Sequence, residues 1–244
     1  MSADKAVEIQ RRYYTDTAAN YDDMHSHEAG DNPGTFRLLC ALLRIVEAKT
    51  VLEVGAGTGR GMRALSDAMP ELSVRGVEPV TALVEQAVKK NGLSTDAILR
   101  AVGEKLPFRD NAFDVVCSLA ILHHVRQPDT IVREMLRVAR SAVIIIDGNR
   151  FGQGSWPVRL FKLAVYKMGL WKIVDYLKTS GKGYLITEGD GLAYSYSVYD
   201  SFDLLADWAE ELLIIPSDPC KATSWFHPLL TAGGLVVCAV KKAR

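Results

Sequence analysis

Between residues 50 and 147 the chain alternates five short apolar runs with segments of helical pattern, and that alternation leaves few folds open. The runs are Thr50–Val54, Ser73–Glu78, 97–102, Phe113–Leu119 and 142–147. Between them, 60–69 is helix-like, 80–91 stops at Gly92, and 129–140 opens just after Pro128. Strands separated by helices must return to the same edge through crossovers, so they pair in parallel as a doubly wound α/β sheet with helices on both faces. Two more runs, Glu211–Pro216 and 235–241, have no helix-length segment between them and predict an antiparallel pair. There is no internal repeat and no low-complexity tract.

The first of these strands ends in an acid, Glu53, and runs into TVLEVGAGTGRG, with Gly55, Gly57 and Gly59 at alternate positions. Glycine there supplies positive φ and lets backbone approach a ligand where a Cβ would collide. Strand, glycine turn and helix form the first half of an open α/β nucleotide site. The dinucleotide fingerprint G-x-G-x-x-G does not fit, because Arg60 follows Gly55 and Gly57 at the required place and Met62 follows Gly57 and Gly59. Glu78, at the end of the second strand and followed by Pro79, lies about twenty residues beyond the turn, where a carboxylate accepts hydrogen bonds from both ribose hydroxyls. Together these residues read as a site for an adenosine-bearing ligand.

Composition narrows the partners. The 29 basic and 29 acidic residues balance, which argues against duplex nucleic acid and for a small-molecule substrate. The four cysteines form no C-x-x-C pair, and Cys117 and Cys238 sit in apolar runs, as buried thiols of a reducing compartment do. The opening MSADKAVEIQ lacks an apolar core of signal-peptide type, and no run of about eighteen apolar residues occurs, so the expected location is cytoplasmic.

At 244 residues a single domain is expected, with four parts: a cap over 1–48, a cofactor-binding core over 49–147, an insertion over 148–200, and a final helix and strand pair over 201–244. The cap holds helix-like stretches at 3–14 and 35–47. The insertion carries Arg159, Lys162, Lys167, Lys172, Lys178 and Lys182 against Asp175, interleaved with Trp156, Phe161, Tyr166, Trp171 and Tyr176. That pattern suits a helical lid over the substrate, a helix lying on a membrane surface, or ordinary packing beneath snorkelling lysines.

The frame Glu53-x-Gly55-x-Gly57-x-Gly59 resembles the first motif of the class I S-adenosylmethionine-dependent methyltransferases. The run from Gly103-Glu104-Lys105-Leu106-Pro107-Phe108 through Asp110 to Phe113-Asp114-Val115-Val116 is similar to the signature of their small-molecule branch, often labelled type 11. The resemblance implies a seven-stranded, mostly parallel Rossmann-like sheet with an antiparallel C-terminal strand, an N-terminal helical cap, a helical insertion after the fifth strand, and S-adenosyl-L-methionine as cofactor. It also implies that Ser118 and Leu119 present backbone carbonyls to the cofactor's ammonium group, and that Tyr14 and Tyr21, beside Tyr13, close over its methionine moiety. An acid two residues before Glu104 commonly bonds adenine in that family, but this chain has Val102 there. Adenine recognition then falls to the Gly103 N–H, to Glu104, or to apolar sandwiching. The chain has no N/D-P-P-Y/F element, which disfavours transfer to an adenine or glutamine nitrogen.

For the chemistry, Ser118-Leu119-Ala120-Ile121-Leu122-His123-His124-Val125 puts paired histidines at the carboxyl edge of the sheet, where open α/β folds bind ligands. Histidine titrates near neutrality, so one of the pair can take a proton from a substrate hydroxyl, and position favours His123. His227 is the rival from the opposite rim. His25-Ser26-His27-Glu28 offers ligands but no second cluster to complete a tetrahedral set, so no metal is expected. Tyr184, Tyr194, Tyr196 and Tyr199 suit the wall of a sugar or aromatic acceptor pocket. The function expected is methyl transfer to a small molecule, at oxygen rather than nitrogen, with a carbohydrate or lipid-linked acceptor. A nicotinamide-dependent oxidoreductase and a non-catalytic cofactor-binding relative are the alternatives.

Overall fold

A computed structural model describes residues 3–24, 32–187, 191–217 and 225–241. One seven-stranded sheet has the order β3-β2-β1-β4-β5-β9-β8, with β1 at Thr50–Val54, β2 at Ser73–Glu78, β3 at Ile98–Arg100, β4 at Phe113–Leu119, β5 at Ala139–Gly148, β8 at Glu211–Pro216 and β9 at Gly234–Val240. The first five are parallel, and β9 is antiparallel to both β5 and β8. Chain direction across the sheet reverses between β1 and β4, so a ligand crevice opens at their carboxyl ends.

Alternate side chains of the central strands feed two cores. Leu52, Val54, Val116, Val143 and Ile145 pack with Ile131 and Met135 of α6 (Pro128–Val138). On the other face, Val51, Val115, Cys117 and Ile144 pack with Leu39 and Leu43 of α3 (Pro33–Ile45) and Leu65 of α4 (Arg60–Ala68). Burial on both faces is why these strands read as continuous apolar runs. Cys40, Cys117 and Cys238 are buried free thiols, while Cys220 lies outside the described residues. Among the described residues no helix is long and apolar enough to cross a membrane.

The run from Gly103 to Val116 turns out to be a clamp as well as a wall. Arg137 of α6 donates to the carbonyls of Leu106 and Phe108 and to Asp110, and Glu134 accepts from the Leu106 N–H at 2.8 Å. Asp114 accepts from the N–H groups of Lys49 and Thr50, each at 3.0 Å, fastening β4 to the start of β1.

Boundaries shift where local chemistry intervenes. α3 starts at Pro33, two residues before the sequence pattern does, because Asn32 caps it by accepting from the Gly34 N–H and proline suits the first helical turn. β5 starts at Ala139 because α6 passes into it with no loop. The insertion is not wholly helical. After α7 (Trp156–Lys167) and α8 (Trp171–Lys178) comes a two-stranded hairpin of β6 (Leu185–Thr187) and β7 (Gly191–Ala193). Three-residue strands carry too little alternation to register as a pattern. The remaining helices are α1 (Ala3–Thr17), the short α2 (Tyr21–Met24), α5 (Thr81–Lys89) and α9 (Phe202–Trp208).

Candidate active site

The glycine turn is built on backbone hydrogen bonds to the neighbouring strand. The N–H groups of Gly55 and Ala56 donate to the Val77 carbonyl, and the Gly57 N–H donates to Glu78 Oε2 at 3.0 Å. Gly55, Gly57 and Gly59 all have φ between 55° and 76°. At Gly59 a Cβ would lie 2.3 Å from Leu93, and at Gly55 it would strike Ile121, so both positions need glycine for space as well as for φ. Gly59 serves as the N-cap of α4 and lines neither of the two cavities that open beside the turn.

Glu78 is buried, its other oxygen accepting from the Val80 N–H at 2.9 Å. Burial raises its carboxyl to about 7, against the pull of those two N–H donors. Glu53 is buried more completely, and its Oε2 has no hydrogen-bond partner among the described residues. Loss of solvent pushes it to about 8, Arg60 opposing and Glu78 adding to the rise. An orphaned, buried carboxylate oxygen under a glycine turn suits a ligand that brings a cationic or donor group.

Two adjoining cavities open here. The larger, about 460 Å³, runs over Gly55, Glu78, Pro79, Val102, Gly103 and Glu104. The smaller, about 70 Å³, includes Glu53, Gly57, Thr58, Leu119 and Ala120 in its walls. Tyr14, Tyr21, Ile121 and His124 wall both. The structure thus gathers Tyr14, Tyr21, Glu53, Gly55, Gly57, Glu78, Pro79, Gly103, Glu104 and Leu119 around one continuous space. Ser118 sits one layer behind, fully buried, its Oγ without a partner among the described residues. Val102 is 37% exposed into the larger cavity, with Ala101 and Ile131 beside it, as apolar sandwiching of a flat ring requires. Asp22 of α2 bonds Thr58 and pairs with Arg60 at 3.3 Å and Lys90 at 3.2 Å, which ties the cap to the glycine turn.

The two histidines part company. Ala120 takes φ +56°, a left-handed turn after β4 that carries Ile121 across Gly55. A single 3₁₀ turn, Leu122–His124, then sends the rings to different partners. His123, favoured by position, lines neither cavity; its Nδ1 lies 2.9 Å from Oδ1 of Asp147, whose Oδ2 accepts from the Leu122 N–H at 3.0 Å. His124 is the wall residue, its ring edge-on to Tyr14 at 5.8 Å and 4.0 Å from the ring of His123. His124 Nδ1 is 2.8 Å from the Leu192 carbonyl and 3.2 Å from Gln10 Nε2. A carbonyl only accepts, so the shorter contact places the proton on Nδ1, which excludes a hydrogen bond from the Gln10 amide to the same atom and leaves Nε2 as the acceptor nitrogen. Gln10 also accepts from the Leu192 N–H, so α1, β7 and His124 meet at one point over the cofactor cavity. The sequence shows the histidine pair but not which member faces the ligand. Gln10, Ile121 and Asp147 carry no local signal at all.

The structure does not bring His227 to these cavities; it pairs with Thr231 Oγ1 at 2.6 Å. Tyr194 walls the larger cavity and also a third one of about 460 Å³ beneath α8, shared with Arg126, Lys172, Tyr176, Lys182 and Tyr196. Tyr184 packs against Tyr194, and Tyr199 packs on Phe151. The segment His25-Ser26-His27-Glu28 lies outside the described residues, and among those described no group of metal-ligating side chains converges.

A switch-point crevice, a glycine turn on β1 and a carboxylate at the end of β2 make an adenosine site in an open α/β sheet, and over this site the chain is similar to class I S-adenosylmethionine-dependent methyltransferases. A family model described as "Methyltransferase domain" matches residues 52–146, the stretch that holds both motifs and the histidine pair. An uncharacterized methyltransferase of Mycobacterium avium is 27% identical over 201 residues, 82% of this chain and 73% of the relative. Another, from Mycolicibacterium gilvum, is 38% identical over 91 residues, 37% of this chain but about a third (35%) of the relative's length. The magnesium protoporphyrin IX methyltransferase of Synechocystis PCC 6803, solved with bound S-adenosylhomocysteine, superposes with a TM-score of 0.60 at 15% identity, over 97% of this chain and all of that one, a likeness of fold. S-adenosylmethionine is therefore the cofactor, and the residues present fit it: Glu78 for the ribose hydroxyls, Val102 and Gly103 for adenine, Glu53 and Leu119 at the methionine end. The nicotinamide reading falls with the glycine frame.

Proposed function

We propose that the protein methylates a hydroxyl oxygen of a small-molecule acceptor, carbohydrate or lipid-linked, with His124 as the group that takes the hydroxyl proton. The observation that carries this reading is the placement of His124 in the wall shared by both cofactor cavities, with its Nδ1–H committed to the Leu192 carbonyl. When bound, S-adenosylmethionine supplies a methyl group on a sulfonium, open to in-line displacement by a nucleophile. The chain supplies alignment, exclusion of water and a proton acceptor. Tyr14 and Tyr21 wall the space from the cap and Ile121 from the end of β4, and Glu78 would hold the ribose hydroxyls of the cofactor. The imidazole takes the proton at Nε2 as the oxygen attacks, and the carbonyl of Leu192 then stabilises the ring's positive charge through Nδ1–H. The third cavity, which shares Val125, Arg126 and Tyr194 with the wall of the first, offers the acceptor a place beside the tyrosines.

A second reading rests on the His123–Asp147 pair, since a buried carboxylate on Nδ1 is the arrangement that makes an imidazole a stronger base. The two part in one experiment. S-adenosylhomocysteine formation is followed over a panel of hydroxyl-bearing and amine-bearing acceptors, with His124→Ala and His123→Ala beside the parent. His124→Ala is expected to lower kcat by about 10²–10⁴-fold while affinity for S-adenosylhomocysteine stays within a small factor. A larger loss in His123→Ala would transfer the role to the dyad. Cofactor binding without turnover on any acceptor, or methylation at nitrogen alone, would overturn the proposal.

A further inference from the structure

The two helices of the insertion wear their apolar side outward. On α7, Pro157, Leu160, Phe161 and Ala164 fall at the i, i+3, i+4, i+7 spacing of a core-facing stripe and continue to Met168, yet all are exposed, Phe161 by 57%. Two polar residues of that helix, Arg159 and Lys162, turn inward on the side that carries the buried Val165. Lys162 donates to the carbonyls of Arg150 and Gln153, each at 3.1 Å, and Arg159 donates to those of Gly154 and Leu230, each at 2.7 Å. α8 also exposes an apolar set, Ile173, Tyr176 and Leu177, Leu177 by 70%, while Trp171, Val174 and Asp175 are half-buried. Leu185 and Ile186 of β6 are exposed too. An exposed apolar area of this extent marks an interaction surface.

Charge decides the occupant. Lys167, Lys172, Lys178 and Lys182 are exposed around these stripes, and from residue 155 to 187 the sole acid is the half-buried Asp175. A second copy of the chain docking by this face would set lysines against lysines, because a two-fold contact pairs a patch with itself. We infer that this face docks on the surface of an anionic phospholipid bilayer, its apolar stripes entering the headgroup and acyl boundary and its lysines reaching the phosphates. The docking stands whether or not the acceptor is lipid-linked.

The test is co-sedimentation of the full chain with vesicles of phosphatidylcholine alone and of phosphatidylcholine mixed equally with phosphatidylglycerol. The parent is expected to pellet with the anionic vesicles and stay in solution with the neutral ones. Lys167→Gln and Lys178→Gln are each expected to weaken partitioning about fivefold, and Phe161→Asp with Leu177→Asp to weaken it by about tenfold or more. S-adenosylhomocysteine affinity, unchanged in all four, shows that the variants are folded. A parent that ignores anionic vesicles overturns the inference. So does binding that survives the two aspartates, or a concentration-dependent dimer in sedimentation velocity that those aspartates dissolve.

Discussion

The cofactor side of the crevice and the histidine side solve the same problem, holding a polar group still at the end of a strand, with different materials. On the cofactor side the parts are neighbours in sequence or nearly so: Glu78 braces Val80 two residues on and Gly57 twenty-one residues back, and the donors are backbone N–H groups. On the histidine side, His124 is oriented by the carbonyl of Leu192, 68 residues away, and the Leu192 N–H is held in turn by Gln10, 182 residues before it. The first construction is fixed by the βα unit itself and changes little with whatever surrounds it. The second exists only when cap, core and insertion have assembled, so it is where relatives with the same cofactor can diverge.

Breaking the insertion's anchor should therefore spare the cofactor side. Arg150, at the end of β5, pairs with Asp200 through both terminal nitrogens, bonds the Ser195 carbonyl, and lies over the Trp171 ring at 4.4 Å. Burial outweighs the guanidinium and holds Asp200 above the usual carboxylate range, so that carboxylate depends on its partner. Arg150→Met is expected to cost about 1–3 kcal/mol in urea denaturation, because the half-buried Asp200 loses its charge partner and keeps the bond from the Ser197 N–H. Affinity for S-adenosylhomocysteine in the folded protein should move by less than about twofold, as for separated sites. A parallel loss of affinity would mean that the insertion, through β7 and α1, holds the cofactor site too.

The reciprocal change is Glu78→Gln. It keeps shape but replaces an acceptor-only carboxylate with an amide that must turn a donor toward one of two N–H groups, Gly57 or Val80. Calorimetric affinity for S-adenosylhomocysteine should fall on the order of 10–100-fold, the scale of a hydrogen bond to a charged group. Stability should change little, and the His124 side not at all. An affinity within a small factor of the parent would show that the ribose is held by other groups.

The same contrast explains what the sequence discloses. The parallel sheet, the antiparallel final pair and the glycine turn follow from spacing, because Glu53, the three glycines, Glu78 and Gly103 each act within a turn of the strand that carries them. Val102 stands out in sequence as the departure at the adenine position, and the structure puts it in the cavity wall. The choice between His123 and His124 does not follow from spacing, since a single 3₁₀ turn separates a ring on Asp147 from a ring on the cavity. Nor does the exposure of the apolar stripes on α7 and α8. Their periodicity is that of a packed helix, and only the structure shows Arg159 and Lys162 turned in to the carbonyls of Arg150, Gln153 and Leu230 while the stripe of α7 faces out.

The smallest change tests the orphaned carboxylate. Glu53 titrates near 8 in the folded protein against an ordinary value of 4.5, so over that interval the folded state keeps a proton that the unfolded chain has released. The stability that Glu53 allows is thus fully present below about pH 4.5 and lost as pH rises through about 8. Glu53→Gln removes this dependence and should stabilise the ligand-free protein at pH 8 by on the order of 2 kcal/mol, while flattening its stability between pH 5 and 8. Binding should show the opposite sign. A cationic group on the ligand favours the carboxylate, so S-adenosylmethionine should bind more tightly as pH rises toward 8 and release a proton below it, detected as a dependence of the calorimetric heat on buffer ionisation enthalpy. The glutamine variant should bind more weakly with no proton release. If it binds as tightly as the parent, Glu53 supports the turn and does not meet the ligand. In that event the cofactor side is held by backbone and Glu78 alone, and the contrast with the side-chain-built histidine side is sharper still.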